Sequence, residues 1–146
     1  MEKNIVSIKQ IGWFDKENPE AEVLFDINGR QFWAFCHPCD FEEGEIAEVY
    51  FSIIEEEISE SAFWEGNSEY KIDMVSSEIN RCSYYCNGQL KSIHPVVIDC
   101  GAINISFGDW INDEKTIGSY VYFVIARLDI GRVAAQSPVL TDMSFK

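Results

Sequence analysis

Positive charge is scarce in this chain. Its 146 residues hold eleven Lys and Arg against 25 Asp and Glu, a net charge of −14 and a pI near 4.4. From Gln31 to Tyr70 there is no Lys or Arg at all. Such a surface repels phosphate backbones and anionic headgroups and attracts basic partners. Long apolar runs are also missing: no stretch reaches the roughly 18 residues that a membrane span needs. The start, Met1-Glu2-Lys3-Asn4-Ile5, lacks the basic and apolar regions of a signal peptide, so a cytoplasmic location is expected. Only two histidines occur, each directly before proline (His37-Pro38 and His94-Pro95), and Pro pushes its predecessor away from helix. Gly-x-Ser-x-Gly, His-Glu-x-x-His and a phosphate-cradling glycine loop are all absent, so the expectation is a protein that is not an enzyme. The five cysteines are an odd count, and free thiols are expected in that compartment.

What is present is a β grammar. A hydrophobic share of 47% and 14% aromatics argue for an ordered core, and the length suits one β-rich domain over residues 1–146. Asn28-Gly29 separates Val23–Ile27 from Phe32–Cys36, the signature of a type I′ hairpin. Period-two alternation puts Val23, Phe25 and Ile27 on one face with Phe32, Ala34 and Cys36. After Gly44, Ala47, Val49, Phe51 and Ile53 share a face of a third strand. A first strand over residues 4–14, bending at Gly12, precedes the hairpin.

Further on, Glu55-Glu56-Glu57 either extends the third strand or opens a helix, and Ile58, Ala62 and Phe63 could form a short stripe. Ile72, Val75, Ile79 and Cys82 recur at near-helical spacing, which predicts an amphipathic helix over about 71–82. Asn87-Gly88 and Cys100-Gly101 read as turns, and Leu90–Ile93, Pro95–Asp99, Ile103–Phe107 and Tyr120–Ile130 as strands.

The halves echo one another. Val49–Ile53 aligns with Val121–Ile125, each following a Gly, and Ile8-Lys9-Gln10-Ile11 resembles Leu90-Lys91-Ser92-Ile93. The gaps differ, and the inside–outside parity of the two hairpins does not match in this alignment. The expectation is a mainly β fold of seven to nine strands with one or two short helices, with an internal duplication as a candidate origin. A bent first strand, hairpin strands, a helix before later strands and Gly at corners resemble an OB-type barrel; a two-sheet sandwich is the runner-up.

Two constellations invite a function. Cys36-x-x-Cys39 and Cys82-x-x-x-Cys86 are close pairs whose four sulfurs could hold a tetrahedral zinc, although core thiols are the plainer reading and no other cofactor is implied. A thioredoxin-like role is weaker, since Cys36 ends a strand instead of opening a helix. The second constellation is the acidic segment, whose carboxylates from Asp40 to Glu69 number eleven. Charge runs are usually just solvated faces. Here aromatics are interleaved, as they are in interfaces where a few rings anchor and charges steer. The candidate partner-binding residues are Glu55, Glu56, Glu57, Glu60, Trp64 and Glu65, with Trp64 the exposed anchor and Phe41 and Phe63 assigned to the core.

Three functions follow. In composition and size the chain is similar to bacterial immunity proteins, which implies a protein-binding module whose glutamates occupy the Lys and Arg of a basic, nuclease-like toxin. An OB-like nucleic-acid-binding domain is the alternative: Trp13, Trp33, Tyr84 and Tyr85 could stack bases. That alternative needs Lys9, Arg30, Arg81, Lys91 and Arg127 to cluster. A small zinc-stabilised interaction module is the third. Oligomeric state is not legible.

Overall fold

The computed structural model describes residues 3–134. The chain is mainly β, with nine strands in one sheet and one short α-helix among the described residues. The strands are β1 (Asn4–Asp15), β2 (Glu20–Ile27), β3 (Arg30–Cys36), β4 (Ile46–Glu56), β5 (Asp73–Ser76), β6 (Tyr84–Ile93), β7 (Val96–Asp99), β8 (Asn104–Ser106) and β9 (Tyr120–Arg132). The helix α1 spans Glu60–Glu65, and a 3-10 turn covers Glu114–Thr116. No helix among the described residues is long and apolar enough to cross a membrane.

The hairpin forms as its turn chemistry dictates. Asn28 and Gly29 take φ of 52° and 79°, and Phe25 faces Phe32 across the β2–β3 ladder. Ala21, Val23, Phe25, Ile27, Phe32, Ala34 and Cys36 are all buried. In β4, Ala47 and Val49 are buried while Ile46 and Glu48 stand exposed. Alternation of period two therefore set the core face correctly in both places.

The neighbours run β3-β2-β1-β4-β9-β6-β7-β8, with β5 on β6. All ladders are antiparallel except one contact. The sheet curls until Phe35 of β3 lies in parallel register with Asp129 of β9, so β1, β2, β3, β4 and β9 make a partial ring.

The strand order has a second property. β4 and β9 lie side by side at its centre, and outward from them β1, β2, β3 are matched by β6, β7, β8. The registers match too. Asn4↔Val49 through Ser7↔Ile46 is repeated by Cys86↔Phe123 through Gln89↔Tyr120. Ile8↔Phe25, Gln10↔Leu24 and Ile11↔Val23 are repeated by Leu90↔Ile98, Ser92↔Val97 and Ile93↔Val96. Even the bulge recurs, at Lys9 in one half and Lys91 in the other. Gly44 N–H donates to the Ile8 carbonyl and Gly118 N–H to the Leu90 carbonyl, both at 2.8 Å. Val49 thus corresponds to Phe123, two residues from the alignment expected from sequence, and hairpin parity agrees: Phe25 and Ile98 are buried alike.

Two sequence expectations fail. Residues 71–82 are not helical; β5 pairs with β6 and turns follow. The spacing misled because its members do not form a buried stripe: Ile79 is 91% exposed and Val75 54%, while Met74 is buried. Asn87-Gly88 is no turn either but the middle of β6. A Cβ on Gly88 would lie 2.5 Å from Ile98 Cγ2 and 2.6 Å from the Asp99 carbonyl oxygen, so glycine serves close strand packing there.

Candidate functional site: an acid–aromatic groove

β4 runs past the end of β1 and keeps pairing with β9, Glu55 opposite Ile125 and Glu56 opposite Val124, after a register shift at Ile54. The acidic run therefore extends the strand instead of opening a helix. The chain then turns through Glu57 and Ile58 to Ser59, whose hydroxyl accepts from Ala62 N–H at 3.1 Å and caps α1. At the far end Gly66 N–H donates to the Ala62 carbonyl at 2.8 Å. Asn67 fastens the helix to the sheet. Its buried amide donates to the carbonyls of Lys71 at 2.8 Å and Val121 at 3.2 Å and accepts from Lys71 N–H at 2.8 Å.

Between the end of β4, α1 and the loop after β8 lies an open groove of about 520 Å³. Its floor is a chain of rings. Trp64 and Phe63 meet edge to face at 4.9 Å, Phe63 and Trp110 at 5.1 Å, Trp110 and Phe107 lie 6.1 Å apart, and Phe107 and Phe123 5.1 Å apart. Trp110 is held by its indole N–H, which donates to the Phe107 carbonyl at 3.2 Å, and it stays 47% exposed. One rim carries Glu55, Glu56, Glu57 and Glu60, all exposed. None of these four forms an ion pair among the described residues.

Five of the six residues singled out from the acidic segment line this groove: Glu55, Glu56, Glu57, Glu60 and Trp64. Glu65 is exposed at the helix end and lies outside it. Trp64 is half-buried against Phe63, so the more exposed ring is Trp110. Trp110 stands in the loop after β8, and a tryptophan amid Gly108, Asp109 and Asn112 is the signal the sequence offers for it. Phe41 and Phe63 are core residues, as expected.

The four candidate metal ligands do not converge. Cys36 neighbours Cys39, Cys86 neighbours Cys100, and the Cys82 thiol donates to Glu22 at 3.5 Å. Among the described residues no three His, Cys, Asp or Glu side chains are grouped to hold a metal. All five thiols are buried and free. Burial, with the Glu22 charge beside it, pushes Cys82 up to about 12, and burial also pushes Cys86 up. Cys39 is lowered, to about 7, by the adjacent Cys36 thiol first, then by Phe41 N–H and the nearby Arg132; the Cys36 thiol also donates to the Pro38 carbonyl at 3.8 Å. His94 bonds Asp109 at 2.6 Å on the surface.

Two of the five basic residues named for a nucleic-acid surface, Arg81 and Arg127, are paired with carboxylates. Arg81 lies 3.5 Å over the Trp33 ring and bonds Glu22 at 2.6 Å. Arg127 lies 4.1 Å over Phe35 and grips Asp129 with two bonds of 2.7 and 2.9 Å. Comparison with protein-family models, curated proteins and solved structures gave no match.

Proposed function

We propose that this chain is a non-enzymatic binding module that takes a basic protein partner on its acidic face. What carries the reading is the convergence of Glu55, Glu56, Glu57 and Glu60 with Trp64 on one concave, ring-floored surface. Unpaired carboxylates on a rim steer a positive partner, and a floor of rings supplies the anchoring area. With the size and acidity of the chain, this supports an immunity-type role in the cytoplasm: carboxylates occupying the Lys and Arg by which a nuclease-like toxin holds phosphates. We read the partial ring of β1–β4 and β9 as an OB-like barrel, five-stranded and partly open. We read the repeated registers of β1–β4 and β6–β9 as the trace of an internal duplication. The nucleic-acid alternative is disfavoured because Arg81 and Arg127 already neutralise Glu22 and Asp129.

The test is capture from the source cell's lysate at low and at moderate salt, with protein and nucleic acid both analysed. A basic protein held at low salt, released as salt rises, and lost with Glu55→Lys/Glu56→Lys/Glu57→Lys supports the reading. Retained nucleic acid overturns it.

A further inference from the structure

Every arginine of this chain, Arg30, Arg81, Arg127 and Arg132, lies over an aromatic ring. Three of the four also bond a carboxylate. Arg132 is the fullest case: it sits 4.8 Å over Phe41, bonds Glu45 at 2.7 Å and Asp40 at 3.1 Å, and holds the Glu45 carboxyl below its ordinary range. A planar guanidinium satisfies both demands at once, because its faces stack on rings while its edge forks onto carboxylates.

Arg132 also stands at a telling place. The correspondence between the halves carries Phe123 onto Val49 and Val124 onto Tyr50. Counted on by the same offsets past the one-residue shift at Ile54, it sets Glu55 against Asp129 and Ile58 against Arg132, and the β2–β3 and β7–β8 ladders set Trp110 against His37. Those partners line a second groove, of about 360 Å³, at the matching position. Arg132 is part of the wall of that groove and bonds Asp40 in it, while Phe41 and Glu45, its ring and its second carboxylate, stand just outside the lining. The acid–aromatic groove has the same two ingredients, rings and carboxylates, and no Lys or Arg among its lining residues.

We propose that the acid–aromatic groove receives the guanidinium of an arginine side chain presented by the basic partner. The guanidinium stacks on Trp110, beside Phe63 and Trp64, and its edge meets Glu55, Glu56 or Glu57. This rests on the binding-module reading and adds to it the identity of the anchoring side chain.

The test titrates the protein with three blocked tripeptides, Gly-Arg-Gly, Gly-Lys-Gly and Gly-citrulline-Gly, and follows the tryptophan indole N–H signals by nuclear magnetic resonance. The arginine peptide is expected to move Trp110 and Trp64 saturably and to leave Trp13 and Trp33 in place. The lysine peptide is expected to bind about fivefold more weakly, the size of one cation–ring contact, and the uncharged citrulline peptide not at all. Trp110→Ala and, as a variant at an exposed position, Glu57→Gln are each expected to weaken the arginine peptide several-fold. Equal responses to arginine and lysine, or to citrulline, overturn the proposal, as does a response centred on Trp13 or Trp33. If the peptides leave Trp110 unmoved while a basic protein still binds through Glu55–Glu57, the arginine assignment fails and the binding module stands. If neither binds, both fail.

Discussion

Tyr84 and Trp33 exchange two hydrogen bonds across the fold. The Tyr84 hydroxyl donates to the Trp33 carbonyl at 2.6 Å and accepts from the Trp33 N–H at 2.8 Å. The phenol is buried on β6, and burial pushes its ionisation upward. Its bonds reach β3, which is not its ladder neighbour, and so tie the second half of the sheet to the first. Tyr84→Phe leaves a strand N–H and a carbonyl without this partner. The expected loss is about 1–3 kcal/mol in chemical denaturation. Tryptophan signals from the groove should stay in place; a loss near zero would mean that water replaces the hydroxyl fully.

Gly88→Ala is expected to cost about 1–3 kcal/mol, because its new methyl meets Ile98 and the backbone of Asp99 on the adjacent strand. Gly44 offers the contrast. A Cβ there meets nothing within 4 Å, but φ is +91°, so the penalty of Gly44→Ala is backbone strain alone, about 1 kcal/mol. Pairing Gly88→Ala with Ile98→Ala should recover part of the first loss and none of the second. Failure of that recovery would remove the close-approach explanation.

Asn67→Asp keeps the shape and loses the donor. The buried carboxylate would face the carbonyls of Lys71 and Val121, which the amide now serves. Destabilisation of about 2–4 kcal/mol is expected. Since Asn67 follows α1 directly, hydrogen exchange should rise first in residues 60–71. A uniform rise over the sheet would contradict its local role.

Cys39 gives a pH signature. Its thiol is lowered from 9.0 to about 7 by the Cys36 thiol first, with help from Phe41 N–H and Arg132, while Cys36 is pushed up by the same bond and by burial. A lowered acid stabilises the fold above its unfolded value and loses that contribution as pH falls through its folded value. The Cys39 contribution thus grows from about pH 7 to 9 and is gone below 7. Above about pH 9 the raised Cys36 works in the opposite direction. Thiolate absorbance should report one group ionising near 7, and Cys36→Ala should move that step upward. An unmoved step would show that the pair is not the cause.

Glu55→Lys/Glu56→Lys/Glu57→Lys should slow association with the basic partner about tenfold or more at low salt, with the gap closing as salt rises. Thermal unfolding should be unchanged or slightly raised, since no ion pair among the described residues uses these carboxylates. Lost stability with unchanged association would make the acidic run structural.

The hairpin was legible because Asn28-Gly29 is a local instruction: positive φ at two adjacent positions is cheap there and costly elsewhere. Half of the groove was legible for a similar reason, since its carboxylates are contiguous in sequence. Its floor was not. Phe63, Trp110 and Phe123 come from three separate segments: the β4–β9 ladder sets α1 beside Phe123, and the β6, β7 and β8 ladders bring the loop of Trp110 to them. The 71–82 segment misled because spacing cannot tell a buried stripe from exposed apolar residues such as Ile79, which β5–β6 pairing leaves outside. Asn87-Gly88 misled because the same dipeptide serves a turn or a tight crossing, and Ile98 decides between them from ten residues away.

The matching registers of the two halves carry a kinetic consequence. β1 and β6 present the same ladder, bulge included, so backbone bonding alone would let β6 anneal to β4, or β1 to β9, during folding or between two chains. Discrimination falls to side chains. At the matched position the first half carries Val6, buried against Ala47, and the second carries Gly88, crowded by Ile98. A valine in the glycine's place meets Ile98, and a glycine in the valine's place leaves a void. Val6 and Gly88 are the matched pair whose exchange the packing resists from both sides, so side chains there favour each strand in its own half.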